Sequence, residues 1–135
     1  MITAVELTKQ FGGTPAVDGL DFTVNKGEIF GIVGPDGSGK STLLRMISSI
    51  LRPDKGSITI DGINVQEYPI KIKEKLAYMP QRFGLYEDLT VEENIFFFGR
   101  LFLLSRSEIL EKLDTLYGFS RLGPFKDRLA GKLSG

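Results

Sequence analysis

The chain has 135 residues, of which 41% are hydrophobic, and its 17 basic and 17 acidic side chains leave no net charge. This length and composition are typical of one globular domain and exclude a mainly disordered chain. The sequence contains no cysteine and no histidine, which excludes disulfides, a thiol nucleophile, a Cys/His zinc site and a Ser-His-Asp triad. The balanced charge gives no reason to expect a nucleic-acid partner.

The sequence shows neither a signal peptide for export nor a segment that could span a membrane. Residues 1–6 lack the basic and apolar regions of a signal peptide, which predicts a cytosolic location. The most apolar stretch, 95–104, is interrupted by Gly99 and Arg100 and is far shorter than the roughly 20 apolar residues of a spanning helix. We therefore expect no membrane-spanning segment in this chain.

In chain order, the first part of the sequence predicts short strands around one helix. Apolar residues recur at helical spacing over 42–51, and Pro53 ends that pattern. The run 28–33 is apolar without alternation, as expected for a strand buried on both faces of a parallel sheet. The other predicted strands have β-favouring residues between turn residues, and they cover 2–7, 20–24, 57–60 and 76–79.

The C-terminal part changes to helical periodicity. A hydroxyl residue followed by glutamate three positions later forms a capping box, and this pattern occurs at Thr90 and again at Ser105. We expect helices over 91–104 and 106–117, with Gly118 ending the second. The change of period divides the chain into a first part at 1–89 and the start of a helical part at 90–135.

Residues 34–41 match the pattern G-x-x-x-x-G-K-[ST] at every fixed position, with a predicted strand before and a helix after. Glycines in such a loop allow backbone N–H groups to surround phosphate oxygens, and the helix start adds a positive dipole end. Lys40 would bridge the β- and γ-phosphates, and Ser41 would hold magnesium. The loop alone leaves kinases, GTPases and motor ATPases open.

Four further segments appear in a characteristic order around this loop. They are 7–12, which contains Phe11, then 51–62, then 78–81, and finally 133–135. In that order they resemble the nucleotide-binding domain of ATP-binding cassette (ABC) transporters along nearly the whole chain. The resemblance implies an α/β P-loop NTPase fold of the ABC ATPase type, truncated, with an N-terminal antiparallel β subdomain and the start of a helical subdomain.

The resemblance also implies ATP and Mg²⁺ as ligands and assigns roles to single residues. Phe11 would stack on adenine, because a flat aromatic face suits a flat base. Lys40 and Gln81 would be the catalytic residues, and Ser41 and Gln81 would hold the magnesium ion. The nucleotide would be bound by the loop and the start of its helix, namely Gly34, Pro35, Asp36, Gly37, Ser38, Gly39, Lys40, Ser41 and Thr42. Ser134 and Gly135 resemble the start of the signature motif, which contacts the γ-phosphate held by the opposite domain.

Two departures from the family pattern affect these expectations. Asp36 stands where many cassette domains have asparagine, and we expect at most a modest loss of affinity from it. The sequence also stops within the signature motif, before the Walker B aspartate, the catalytic glutamate, the D-loop and the switch histidine. We therefore expect a longer parent protein to hydrolyse ATP, and these 135 residues alone to hydrolyse it poorly or not at all.

Segments 81–94, 122–125 and 129–135 resemble the ATPase subunits of ABC-2 type exporters, particularly those of multidrug efflux. This implies a subunit that pairs head to tail with a second nucleotide-binding domain and drives separate transmembrane permease subunits. It would be cytoplasmic and peripheral on the cytoplasmic face of the inner membrane. Two alternatives remain: a non-transport ABC ATPase acting on ribosomes or DNA, or a nucleotide-binding fragment without turnover.

The predicted helix from residue 91 is apolar around most of its circumference. Two explanations stay open for this pattern. All of it could be buried within the chain, or part of it, with Phe83, Leu85 and Tyr86, could receive a coupling helix of a membrane subunit.

Overall fold

A computed structural model describes residues 1–81 and 84–133 of the chain. These residues divide into two compact units, Met1–Tyr78 and Met79–Gly135. Phe83, Ser134 and Gly135, which carry sequence-based predictions, lie outside the described residues. No helix in the described part is long and apolar enough to cross a membrane.

The first unit is built on a four-stranded antiparallel sheet of β1 (Ile2–Phe11), β2 (Thr14–Val24), β3 (Lys55–Ile60) and β4 (Ile63–Asn64). The strand order in the sheet is β2-β1-β3-β4. The predicted strand 2–7 extends to residue 11, and its partner begins at residue 14, because the glycine pair between them adopts positive φ and closes a hairpin. The short last strand was not predicted.

Two helices belong to this unit, α1 (Lys40–Ile47) and the short α2 (Pro69–Lys73), which was not predicted. Helix α1 begins two residues before its predicted start and ends four residues before its predicted end. It ends there because the Ser48 hydroxyl donates to the Leu44 carbonyl at 2.8 Å and Ser49 adopts a φ of +59°. The helix packs its buried side chains against the sheet, and the core consists of Ala4, Leu7, Val17, Leu43, Met46, Ile58, Ile60, Val65 and Ile72.

The predicted strands 28–33 and 76–79 are not strands in the structure. Ile29 is fully exposed and Val33 is 95% exposed, whereas a strand of a parallel sheet is buried on both faces. A strand exists only where a neighbour supplies ladder hydrogen bonds, and no strand among residues 1–81 and 84–133 pairs with either segment. Segment 28–33 does make one kind of contact with the sheet: the Phe30 ring stacks on the Phe22 ring, with centroids 5.9 Å apart.

The second unit contains α3 (Val91–Leu101) and α4 (Arg106–Ser120). Both predicted capping boxes are confirmed. Helix α3 ends earlier than predicted because Leu103 adopts a φ of +62° and the Leu104 N–H returns to the Gly99 carbonyl at 3.0 Å. Helix α4 continues through Gly118, so the predicted end was wrong: Arg121, with a φ of +57°, takes the left-handed closing position instead.

The chain after α4 returns to the start of α3 through 3₁₀ turns at Gly123–Phe125 and Ala130–Lys132. The N–H of Val91 donates to the Arg128 carbonyl at 3.0 Å, and the N–H of Ala130 donates to the Leu89 carbonyl at 2.8 Å. These bonds hold residues 128–130 against the N-terminus of α3.

Asn94, which is buried on α3, organises the loop that precedes this helix. Its side-chain oxygen accepts the Tyr86 N–H at 2.8 Å, and its amide nitrogen donates to the carbonyls of Tyr86, Leu89 and Thr90. The sequence did not predict this role, because no local pattern distinguishes an asparagine that binds the preceding loop from one that faces solvent.

Candidate nucleotide-binding site

The predicted phosphate loop leads directly into the N-terminus of α1, whose first residue is Lys40. Gly39 is the residue before the helix, and no side chain caps the first turn. The N–H groups at the start of a helix have no partner within the helix, and they form a site that favours anions. The local geometry therefore matches the phosphate-binding function predicted for residues 34–41.

Gly39 fixes the position of the loop against the sheet. Its φ is +87°, and a β-carbon at this position would overlap the carbonyl oxygen of Ala16 and lie 3.3 Å from a methyl group of Val17. Only glycine allows both this backbone conformation and this approach. The start of β2 thus forms the wall behind the loop, a contribution that the sequence motif did not reveal.

The Lys40 side chain folds back into the loop that precedes it. Its ammonium group donates to the carbonyls of Gly34 and Pro35, each at 2.7 Å, and it lies 3.4 Å from the Ser38 hydroxyl. These three acceptors match the three protons of an ammonium group. The loop is therefore wrapped around a positive charge, which phosphate oxygens can approach from the adjoining cleft.

A cleft of about 410 Å³ lies beside the loop. Its walls come from the start of β2, from the segment before the loop, and from the loop and helix, with Ala16, Asp18, Ile32, Pro35, Ser38 and Lys40 among the lining residues. Asp36 is exposed and is not one of the residues that line the cleft. Ser41 and Thr42 lie in the first turn of α1.

Phe11 lies at the end of β1, opposite Thr14 at the start of β2, and is 53% exposed. It does not line the cleft. Ala16, which contacts the loop, is two residues further along β2 from Thr14, or about 7 Å at the rise of a β-strand. The hairpin therefore places the aromatic side chain and the phosphate loop along the same short stretch of β2.

Of the remaining predicted site residues, Ser134 and Gly135 lie outside the described residues. Gln81 is exposed and lies in the second unit, so its approach to a magnesium ion remains a prediction. The described residues contain no cluster of three or more potential metal ligands. A magnesium ion that arrives with a nucleotide takes most of its ligands from phosphate and water, so one protein hydroxyl such as Ser41 suits its chemistry.

A β-subdomain followed by a glycine loop that encloses a lysine at a helix N-terminus defines a P-loop nucleotide-binding fold. The family model described as "ABC transporter" matches residues 17–135. The chain belongs to the ABC transporter family, as its motifs predicted.

Two curated relatives illustrate the similarity. The probable multidrug ABC transporter ATP-binding protein YbhF of Escherichia coli is 46% identical over 100% of this chain and 24% of its own length. The Nod factor export ATP-binding protein I of Rhizobium meliloti is 39% identical over 99% of this chain and 40% of its own length. The chain thus spans less than half of the length of either relative.

Solved structures agree with the fold. A dimeric ATP-binding cassette in a post-hydrolysis state, bound to ADP and Pi, superposes with a TM-score of 0.81 at 27% identity. The match covers 99% of this chain and 63% of the solved chain. The ABC ATPase fold predicted from the motifs is therefore confirmed, although the described segments 28–33 and 76–79 do not form the predicted strands.

Proposed function

We propose that this chain is the ATP-binding part of an ABC exporter that couples ATP binding and hydrolysis to solute transport by separate membrane subunits. The observation that carries the proposal is the loop 34–39 wrapped around the Lys40 ammonium group at the N-terminus of α1, beside an open cleft. The names of the two curated relatives, a multidrug transporter subunit and a Nod factor exporter subunit, favour export.

Within this proposal the site residues have defined roles. The loop N–H groups and Lys40 bind the phosphates, Ser41 ligates the magnesium ion, and Phe11 stacks on adenine. Magnesium would neutralise phosphate charge as the nucleotide binds. Gln81 would reach the ion and the attacking water, and Ser134 with Gly135 would contact the γ-phosphate held by a second nucleotide-binding domain in a head-to-tail dimer. The division of the chain into an ATP-binding core, 1–89, and a helical part, 90–135, belongs to the same proposal.

The proposed partners are transmembrane permease subunits, so the protein would work at the cytoplasmic face of the membrane. The loop ordered by Asn94 and the exposed aromatic rings beside it offer a contact surface for them. The Tyr86 ring packs edge-on against Phe97 with centroids 4.7 Å apart, and this pair is accessible on the second unit. A coupling helix could contact this pair while the opposite side of α3 packs against α4.

Equilibrium binding of MgATP to the 135-residue chain tests the central step. Lys40→Met should weaken binding roughly 10- to 100-fold, because it removes charge-assisted hydrogen bonds to phosphate. Lys26→Met, which removes an exposed lysine of the same unit outside the loop, should leave binding unchanged. Absence of MgATP binding by the wild-type chain, shown by circular dichroism to be folded, would contradict the proposal.

Turnover and transport are tested on the full-length product of the gene. It should hydrolyse ATP and sediment with membranes when co-expressed with its permease subunits, and Lys40→Met should abolish hydrolysis without changing sedimentation. Wild-type protein that binds MgATP but neither hydrolyses it nor associates with permeases would exclude the transporter function and leave nucleotide binding alone.

A further inference from the structure

Residues 53–56, which lead into β3 and include its first two residues, lie against the end of β1, directly before Phe11. Asp54 makes three contacts there, one with each of three consecutive residues. Its N–H donates to the Thr8 carbonyl at 2.9 Å, one carboxylate oxygen accepts from the Lys9 ammonium at 2.8 Å, and the other accepts from the Gln10 N–H at 2.8 Å. A single residue thus fixes the backbone and one side chain at the end of this strand.

Gly56, the second residue of β3, allows this segment to approach β1 so closely. Its φ is +77°, and a β-carbon at this position would overlap the carbonyl oxygens of Val5 and Glu6. The strand pairing then places Lys55 opposite Thr8. The position of Asp54 is therefore set by the sheet and not by a flexible surface loop.

Lys9 connects Asp54 to the Phe11 ring. Its ammonium nitrogen lies 5.6 Å from the centroid of that ring, within the range of a cation–π interaction. The Lys9 side chain is only 15% exposed, against 42% for Asp54. The hydrogen bond from Lys9 lowers the pKa of Asp54, so the carboxylate is ionised in neutral solution.

The residues after Phe11 offer no comparable restraint. Gly12 and Gly13 both adopt positive φ, and a β-carbon on either would meet open space. Phe11 therefore lies between a glycine turn and a strand end that Asp54 holds. An aromatic side chain that is already ordered loses less conformational entropy when it binds a ligand.

We propose that Asp54 and Lys9 are positioning residues for base recognition, which hold the Phe11 ring in the orientation in which it stacks on adenine. The inference rests on the proposed function, in which Phe11 contacts the base. It predicts a defect that depends on the base, because neither residue lies in the phosphate loop.

The test compares two ligands on the 135-residue chain, MgATP and magnesium tripolyphosphate, which lacks the base. Asp54→Asn and Lys9→Met should each weaken MgATP binding about 3- to 10-fold, the range of a lost aromatic interaction, and leave tripolyphosphate binding unchanged. Asp61→Asn is the matched control, since it removes another exposed ion pair of the same sheet, with the N-terminal ammonium at 2.6 Å. The control should change neither affinity.

A second set of variants tests whether Asp54 acts through Phe11. Phe11→Ala should weaken MgATP binding by itself, and adding Asp54→Asn to it should cause no further loss. Additive losses, or equal weakening of both ligands by Asp54→Asn or Lys9→Met, would show a purely structural role and overturn the inference. Lys9→Met retains the length of the side chain, so it keeps the test decisive if Asp54→Asn does not fold.

The outcomes separate this inference from the proposed function. If the folded wild-type chain binds neither ligand, the proposed function fails. If Phe11→Ala binds MgATP as tightly as wild type, the adenine contact assigned to Phe11 is wrong and the positioning role falls with it, while phosphate binding stands.

Discussion

At the scale of single residues, backbone conformation decides which positions of the phosphate loop tolerate a side chain. Gly37 and Gly39 both have positive φ, at +81° and +87°. They differ in their surroundings, because a β-carbon on Gly37 would meet nothing within 4 Å, whereas one on Gly39 would overlap the backbone of β2. The two glycines therefore separate the effect of strain from the effect of contact.

Gly37→Ala should lower the free energy of unfolding by about 1–2 kcal/mol, the cost of a left-handed conformation for alanine. Gly39→Ala should lower it by roughly 3 kcal/mol or more, because the loop must also move away from Ala16. Urea unfolding of both variants measures the difference. Equal losses in the two variants would mean that the loop is not held against β2.

At the scale of elements, both long helices of the second unit begin with the same side-chain arrangement. The Glu93 carboxylate accepts from the N–H and the hydroxyl of Thr90, at 2.8 and 2.9 Å. Glu108 accepts from the N–H and the hydroxyl of Ser105, at 2.8 and 2.6 Å. The pKa of Glu93 is lowered most by the backbone N–H of Thr90 and next by the Thr90 hydroxyl. The pKa of Glu108 is lowered most by the Ser105 hydroxyl and next by the Ser105 N–H.

A carboxyl whose pKa is lowered on folding stabilises the fold above its unfolded pKa, near 4.3, and loses that contribution as the pH falls through the lower folded value. The free energy of unfolding should therefore decline on acidification from about pH 6 to about pH 3. The double variant Glu93→Gln/Glu108→Gln should be less stable at neutral pH and should decline less steeply. Urea unfolding across this pH range measures both effects.

Glu111→Gln is the control for this prediction, because Glu111 lies within α4 and takes no part in either cap. With Glu111→Gln, the free energy of unfolding should decline on acidification as steeply as in the wild type. Identical declines for wild type and the double variant would show that the caps do not contribute to pH-dependent stability.

The sequence located the beginnings of α3 and α4 because a capping box is local, requiring only residues three positions apart. It placed their ends wrongly. Leu103 and Arg121 take the left-handed conformations that close α3 and α4, although glycine would be the usual residue there, and Gly118 remains helical. Local patterns could not indicate this, because a non-glycine residue in that conformation is recognised only from backbone geometry.

At the scale of the whole molecule, the segment 28–33 leaves apolar side chains exposed. Ile29 and Val33 are almost completely accessible, and the segment combines β-favouring residues with little charge. Such a segment can form ladder hydrogen bonds with another chain when nothing covers it. We therefore expect the 135-residue chain to self-associate as its concentration rises.

Replacing both side chains, Ile29→Thr/Val33→Thr, should reduce self-association, because it removes apolar area from the segment. Ile70→Thr is the matched control: it removes an exposed isoleucine from α2, outside this segment, and should change little. Light scattering over a concentration series gives the weight-average mass. Self-association that is unchanged in the double variant would place the contact elsewhere on the chain.

The sequence by itself predicted the phosphate-loop motif, the starts of α3 and α4 and, through the order of its motifs, the family. The loop motif and the two helix starts each depend on residues close together in the chain, such as the spacing from Gly34 to Ser41. Tertiary structure alone decided that Ala16 backs the loop at Gly39 and that Asp54 reaches the strand end before Phe11. It also decided that 28–33 pairs with no other strand of the described residues. These features depend on contacts between segments that are far apart in the sequence. Such contacts are decided by strand pairing and close backbone packing in the folded chain, which local patterns do not encode.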